Sequence, residues 1–126
     1  MSRLRMLASV GLAIPLLGSA ANYGLQLVEP PAGEGLPGAE MWRLMRDGGL
    51  FFWVFIGHAV TGAMLLVPKL RFLGALLQLP VTLGIAAFNL TMFPPGVAPA
   101  LMMLTLNLLA VADSSALRSL TEAHRR

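Results

Sequence analysis

His58 is the one ionisable side chain in the middle of a long apolar run, Leu50 to Val67, and imidazole is the group whose charge changes most readily near neutral pH. At that position it could hold a ligand or pass a proton as a general acid/base. Thr61 and Gly62 follow at i+3 and i+4, on the same side of a helix. In a first apolar run Gly11, Pro15, Gly18, Asn22 and Gln26 recur every three or four residues and draw one narrow stripe of small and amide side chains. In a third, Gln78, Thr82 and Asn89 share a face. Thr105 and Asn107 of a fourth point about 200° apart, so one cavity cannot take both.

Depth sorts these residues. At ~1.5 Å per residue, Asn22 lies about 9 Å below the boundary nearest the long loop, His58 and Thr105 about 12 Å, and Asn89 about 6 Å. They form one layer, whereas Gln78 belongs to the opposite third. Asn22, Gln26, His58, Thr61, Asn89 and Thr105 are therefore the candidate ligand-binding residues, and His58 is the candidate catalytic group. The competing reading is that amides and hydroxyls here only join helices, at ~0.6 kcal/mol per hydrogen bond.

Other chemistries lack their parts. The chain has no Cys, which removes thiolate catalysis, Cys-ligated zinc and iron–sulfur clusters. His124 stands far off in the tail, and no second His or buried carboxylate completes a metal shell, so no metal site is expected. No Gly-rich phosphate loop is present for a nucleotide, and no buried acid is available to orient a His–Ser pair.

The elements that must position these residues are membrane helices. Of 126 residues, 56% are hydrophobic and 12% charged, about half the usual ~25% of a soluble domain, with a mean hydropathy of +0.74. A helix crossing ~30 Å of hydrocarbon needs about 20 apolar residues. Four stretches qualify, at about Leu7–Val28, Leu50–Val67, Phe72–Phe93 and Val97–Ala112. Glu29-Pro30-Pro31, Pro68 with Lys69 and Arg71, Pro94-Pro95-Gly96 and Asp113 end them in turn. The expectation is an all-α, four-helix membrane bundle forming a single domain over residues 1–126. Arg3, Arg5 and the small residues Gly18-Ser19-Ala20-Ala21 also spell a cleavable signal peptide, but apolar character continues through Leu25, Leu27 and Val28, as a spanning helix requires.

Cations set the orientation. Arg3 and Arg5, Lys69 and Arg71, and Arg118, Arg125 and Arg126 fall on one side, while Arg43 and Arg46 share the other with Glu29, Glu34, Glu40 and Asp47. Both termini are thus expected in the cytoplasm, in a multi-pass protein of a bacterial inner membrane. The pI of 10.7 then reflects topology charges, and a nucleic-acid partner is not expected.

The loop from Glu29 to Gly49 is the long one. Its first half is rich in Pro and Gly. In its second half Met41, Trp42, Leu44 and Met45 oppose Glu40, Arg43, Arg46 and Asp47, which predicts a short amphipathic helix stopped at Gly48. That helix is either a surface anchor with Trp42 at headgroup level or a lid over a cavity. In the tail, Ser114 or Ser115 is expected to cap a surface helix with Leu117 and Leu120 toward lipid and Arg118 and Arg125 toward water.

The order of these features resembles the DoxX-like family of small four-helix bacterial membrane proteins. The resemblance covers nearly the whole chain. It rests on Gly18-Ser19-Ala20-Ala21-Asn22-Tyr23 before Pro30-Pro31, on Asp47-Gly48-Gly49-Leu50-Phe51-Phe52, and on Gly57-His58, Gly62 and Leu65-Leu66-Val67-Pro68. Leu73-Gly74-Ala75-Leu76-Leu77 and Leu79-Pro80-Val81 continue it. Many relatives carry Glu where His58 stands, an Asn near Gly84 and a His near Asn89, and this chain departs at all three positions. The resemblance implies an accessory subunit of a membrane oxidoreductase, as in thiosulfate:quinone oxidoreductase, or a binder of a small apolar, quinone-like ligand. The partners implied are the bilayer and either an oxidoreductase subunit or a second copy. The alternatives are a standalone enzyme on a lipophilic substrate with His58 as general acid/base, and a small transporter.

Single Cys substitutions test the orientation directly in this Cys-free chain. With an impermeant thiol reagent on intact cells, Gly35→Cys is expected to label, and Ser2→Cys, Leu70→Cys and Arg126→Cys to stay unlabelled. Labelling at 70 with protection at 35 would reverse the topology.

Overall fold

The computed structural model describes residues 3–27 and 33–112, with Ser115, Ser119 and Glu122 as helical positions of the tail. Among these the chain is all-helical, with α1 (Arg3–Leu25), α2 (Pro37–Asp47), α3 (Leu50–Leu66), α4 (Arg71–Met92) and α5 (Val97–Val111). A 3-10 turn at Pro94–Gly96 leads into α5. The expected end of the first span at Val28 to Pro31, the tail residues Ser114, Leu117, Arg118, Leu120 and Arg125, and the termini Ser2 and Arg126 lie outside the described residues.

Local chemistry explains the boundaries. α1 stops at Leu25 because Gln26 turns left-handed, at φ 51°, and its N–H donates to the Asn22 carbonyl at 2.7 Å. Glycine is the usual residue at such a position, so Gln26 ends the helix through its backbone. α2 begins with Pro37, whose missing N–H costs nothing in a first turn. It ends at Asp47 with Gly48 as its C-cap, as the sequence predicts; Gly48 itself stays in the right-handed region, and Gly49 takes the left-handed step, at φ 80°. At the turn between α3 and α4 the Arg71 Nε donates to the Leu65 carbonyl at 2.9 Å, which pairs one of the orphan acceptors of the α3 terminus.

Among the described residues three helical segments are long and apolar enough to cross a membrane: α1, α4, and α5 taken with its 3-10 turn. α2 and α3 meet that standard only as a pair bent by 85°. α3 alone has 17 residues, which at ~1.5 Å each reach about 26 Å. Many large apolar side chains face outward, among them Ile14, Trp53, Val60, Leu83 and Leu101. Such a surface suits hydrocarbon and would associate in water.

α1 packs against α3 and α5, α4 packs against the same two helices, and α2 lies across the ends of α3 and α4. The apolar core is Leu12, Ala13, Leu16, Leu65, Ala75 and Ala110, with Met103, Leu106 and Val111 against it. It lies mostly toward the end away from α2. Small residues let the backbones approach there, as membrane helices require. A Cβ on Gly62 would stand 2.9 Å from the Leu17 Cγ, and one on Gly74 2.8 Å from the Met64 Cβ and 3.2 Å from the Thr61 carbonyl oxygen.

Polar side chains stitch the same half together. The Thr61 Oγ1 lies 2.7 Å from the Gln78 Oε1 and 2.8 Å from the Gly57 carbonyl, and its single proton serves one of them at a time. Thr82 faces the Gln78 carbonyl at 2.8 Å and the Asn107 Oδ1, and the Asn107 Nδ2 donates to the Ala75 carbonyl at 2.8 Å. α3 is thereby joined to α4, and α4 to α5.

Gly74→Ala is expected to lower thermal stability in mild detergent by about 1–3 kcal/mol, because the new methyl meets backbone and a Cβ that cannot swing away. Gly18→Ala, where a Cβ meets nothing within 4 Å, is expected to hold stability or raise it by about 0.5–1 kcal/mol. Equal melting temperatures for the two variants would remove the close α3–α4 contact from the account.

Candidate functional site

At the end covered by α2 the helices separate and leave an open cavity of about 1410 Å³. α3 supplies Phe51, Val54, Phe55 and His58 to its wall, α4 supplies Val81, Ile85, Phe88 and Asn89, and α5 supplies Ala100 and Met103. Ser19 enters from α1. α2 and the residues before it form the roof, with Met41, Trp42 and Met45 beside Glu34, Glu40 and Arg43. Two contacts seat the roof: Gly38 lies against the Met92 carbonyl, where a Cβ would come within 2.6 Å, and the Trp42 ring meets Phe51 edge-on at 5.1 Å.

His58 marks the bottom of this space. It is 4% exposed, and neither Nδ1 nor Nε2 has a hydrogen-bond partner. Buried imidazole nitrogens left unpaired lose their hydration without replacement, so a ligand or water bonded there would recover that cost. Aromatic rings surround it. Phe55 stands edge-on to the imidazole at 5.7 Å, Tyr23 stacks on Phe55 at 4.7 Å, and Phe51 meets Phe55 at 5.8 Å. On the opposite wall Phe88 stacks with Phe93 at 6.4 Å.

Of the six residues expected to bind a ligand, the structure brings His58 and Asn89 to the cavity wall. Asn89 is half-buried, its Nδ2 donates to the Ile85 carbonyl at 2.8 Å, and its Oδ1 packs against Gly96. Thr61 is buried one turn deeper than His58, where it joins α3 to Gln78 of α4. Asn22 is half-buried on α1 outside the lining. Gln26 is exposed beyond the end of α1. Thr105 is exposed, and its hydroxyl donates back to the Leu101 carbonyl at 2.8 Å. The expected layer placed these residues at one level, but level alone does not make side chains converge. Asn107, on the other side of α5, is the inward one and is fully buried.

The sequence reading missed the aromatic wall. Phe51, Phe55 and His58 recur at i, i+4 and i+7, a spacing that puts all three on one side of α3. Gln78, which its depth assigns to the opposite third, is 1% exposed, and its Nε2 has no partner. Among the described residues no group of three or more His, Cys, Asp or Glu could hold a metal ion. Comparison of the chain with protein-family models, with curated proteins and with solved structures finds no match in any of the three.

Because no protein group pairs with the His58 nitrogens, His58→Leu strands nothing. Thermal unfolding in detergent is expected to show stability held or raised, since an apolar side chain is cheaper than imidazole at that depth. A loss of about 1–3 kcal/mol would reveal a structural partner for His58 instead.

Proposed function

We propose that this chain is an integral membrane protein that binds a small, largely apolar, quinone-like molecule in the cavity beneath α2, with His58 as its polar contact. The observation that carries this reading is a buried imidazole with both nitrogens unpartnered, on the wall of a large space that Phe51, Phe55 and Phe88 also line. Ligand pockets commonly pair apolar and aromatic walls with one or two placed polar groups. Neutral imidazole offers one N–H donor and one acceptor, so a carbonyl or hydroxyl on the ligand can satisfy it. Aromatic rings at this spacing suit the offset or edge contacts that a planar ring prefers.

In this reading α1, α3, α4 and α5 are the four helices of a bundle with both ends in the cytoplasm of a bacterial cell, and α2 lies on the outer face of the inner membrane. The charge asymmetry of the loops supports that orientation. α2 serves as a lid as well as an anchor. The resemblance of Gly57-His58 and its flanks to the DoxX-like family supports a role beside a membrane oxidoreductase, the chain holding the lipophilic molecule while a partner holds the redox centre. Without Cys, electron transfer by this chain would have to pass through a bound molecule.

Trp42 provides a built-in reporter, since it lines the cavity, whereas Trp53 points outward at 68% exposure. In Trp53→Phe protein, decylubiquinone is expected to quench Trp42 fluorescence saturably, with the apparent affinity about tenfold weaker or worse once His58 is also replaced by Leu. Quenching that is linear in added quinone and indifferent to His58 would overturn the proposal.

A further inference from the structure

The cavity is not closed on all sides, and the place where it opens follows from how α3 and α4 meet. At the end away from α2 they touch tightly, through Gly74 against Thr61 and Met64 and through the Thr61–Gln78 hydrogen bond. One turn nearer α2, on the same side of α3 as Thr61, stands Gly57, and a Cβ there meets nothing within 4 Å. Gly57 is exposed and outside the cavity lining, whereas Gly84 of α4 lines the cavity, is exposed, and also has nothing within 4 Å. Val81, one turn below Gly84, lines the cavity while remaining 37% exposed. α2 roofs the outer end of the cavity. Exposed Gly84 and Val81 thus put part of the cavity wall on the outer flank of α4.

The charges around the cavity limit what can occupy it. Among the described residues Glu34, Glu40 and Arg43 are the charged ones of the lining, and all three are exposed, at the roof. At the buried end the polar lining among the described residues is His58 with Ser19, with Asn89 nearer the roof, and no described cation stands there to pair an anionic head. An unpaired charge there would be strongly disfavoured, whereas a neutral carbonyl or hydroxyl needs only the imidazole.

Resting on the binding reading above, we infer that the ligand is a lipophile with a neutral hydrogen-bonding head and a flexible hydrocarbon chain, admitted directly from the bilayer between α3 and α4. Its head reaches His58, and its chain lies in the gap bordered by Gly57 and Gly84. A molecule already dissolved in the membrane need not cross water to reach the site. The two glycines keep the passage wide because any side chain at either position would project along it.

The test uses full-length Trp53→Phe protein in nanodiscs, with decylubiquinone quenching of Trp42 followed by stopped flow. Gly84→Leu and Gly57→Leu are expected to slow association about tenfold or more. Gly18→Leu, an equally open glycine on α1, is expected to leave the rate unchanged. The chainless benzoquinone head is expected to bind much more weakly than decylubiquinone. Dodecanol is expected to displace decylubiquinone, and dodecanoate at alkaline pH to fail.

Unchanged association in both portal variants, with saturable quenching in the parent, would overturn the lateral passage and leave the binding reading intact. Equal displacement by dodecanoate and dodecanol would overturn the neutral head. Absence of saturable quenching in the parent would remove the binding reading and this inference with it. If a portal variant loses His58-dependent binding altogether, its melting temperature decides: an unchanged value supports blockage, and a fall matched in Gly18→Leu counts against it.

Discussion

The contact of Gly74 with Thr61 and Met64 governs the shape of this molecule. With no side chain on Gly74, α4 lies against the α3 backbone at one end, and the Thr61–Gln78 hydrogen bond holds that approach. Two helices pinned together at one end and held apart at the other form a wedge. The other end is held by α2, seated on Met92 and Phe93 through Gly38 and on Phe51 through Trp42. The cavity is the inside of that wedge.

Polar groups divide along the same line. In the tight half Thr61 meets the Gln78 side chain, Thr82 meets the Asn107 side chain and the Gln78 backbone carbonyl, and Asn107 donates to the Ala75 carbonyl, which makes them joints between helices. In a medium without water such bonds each contribute little, ~0.6 kcal/mol on average, but their absence would leave costly unpaired groups. In the open half Asn89 is tied to its own helix, and His58 is tied to nothing. Joined and unjoined polar side chains thus occupy different depths.

The bend between α2 and α3 links the roof to the site. Gly48 and Gly49 turn the chain through 85°, and Phe51, Phe55 and His58 follow within the next three turns of α3. A movement of α2 about Gly49 would shift Trp42 against Phe51 and, through the aromatic contacts, reach Phe55 and the imidazole. Arg46 over the Trp42 ring, at 5.5 Å, places a cation at the water-facing side of the same element. Roof, aromatic wall and imidazole therefore form one continuous run of chain.

The sequence by itself determined the helices, their order and nearly their ends. Apolar length, proline stops and charge breaks act locally, and backbone hydrogen bonding in hydrocarbon leaves no alternative to a helix. It also singled out His58, because an ionisable group in an apolar run is conspicuous without any partner. Tertiary structure alone decided which polar residues share a space. Thr105 and Asn107 were rightly separated by angle, but which of them faced inward depended on the rotation of α5 against α4. Asn22 and Gln26 fell on the expected stripe, yet Gln26 was lost to a left-handed helix end, and Asn22 is not among the residues that line the cavity. The cavity itself was beyond reach of pattern, because it comes from the difference between one close glycine contact and two open ones. Whether a glycine meets a neighbour or empty space is a property of the neighbouring helix.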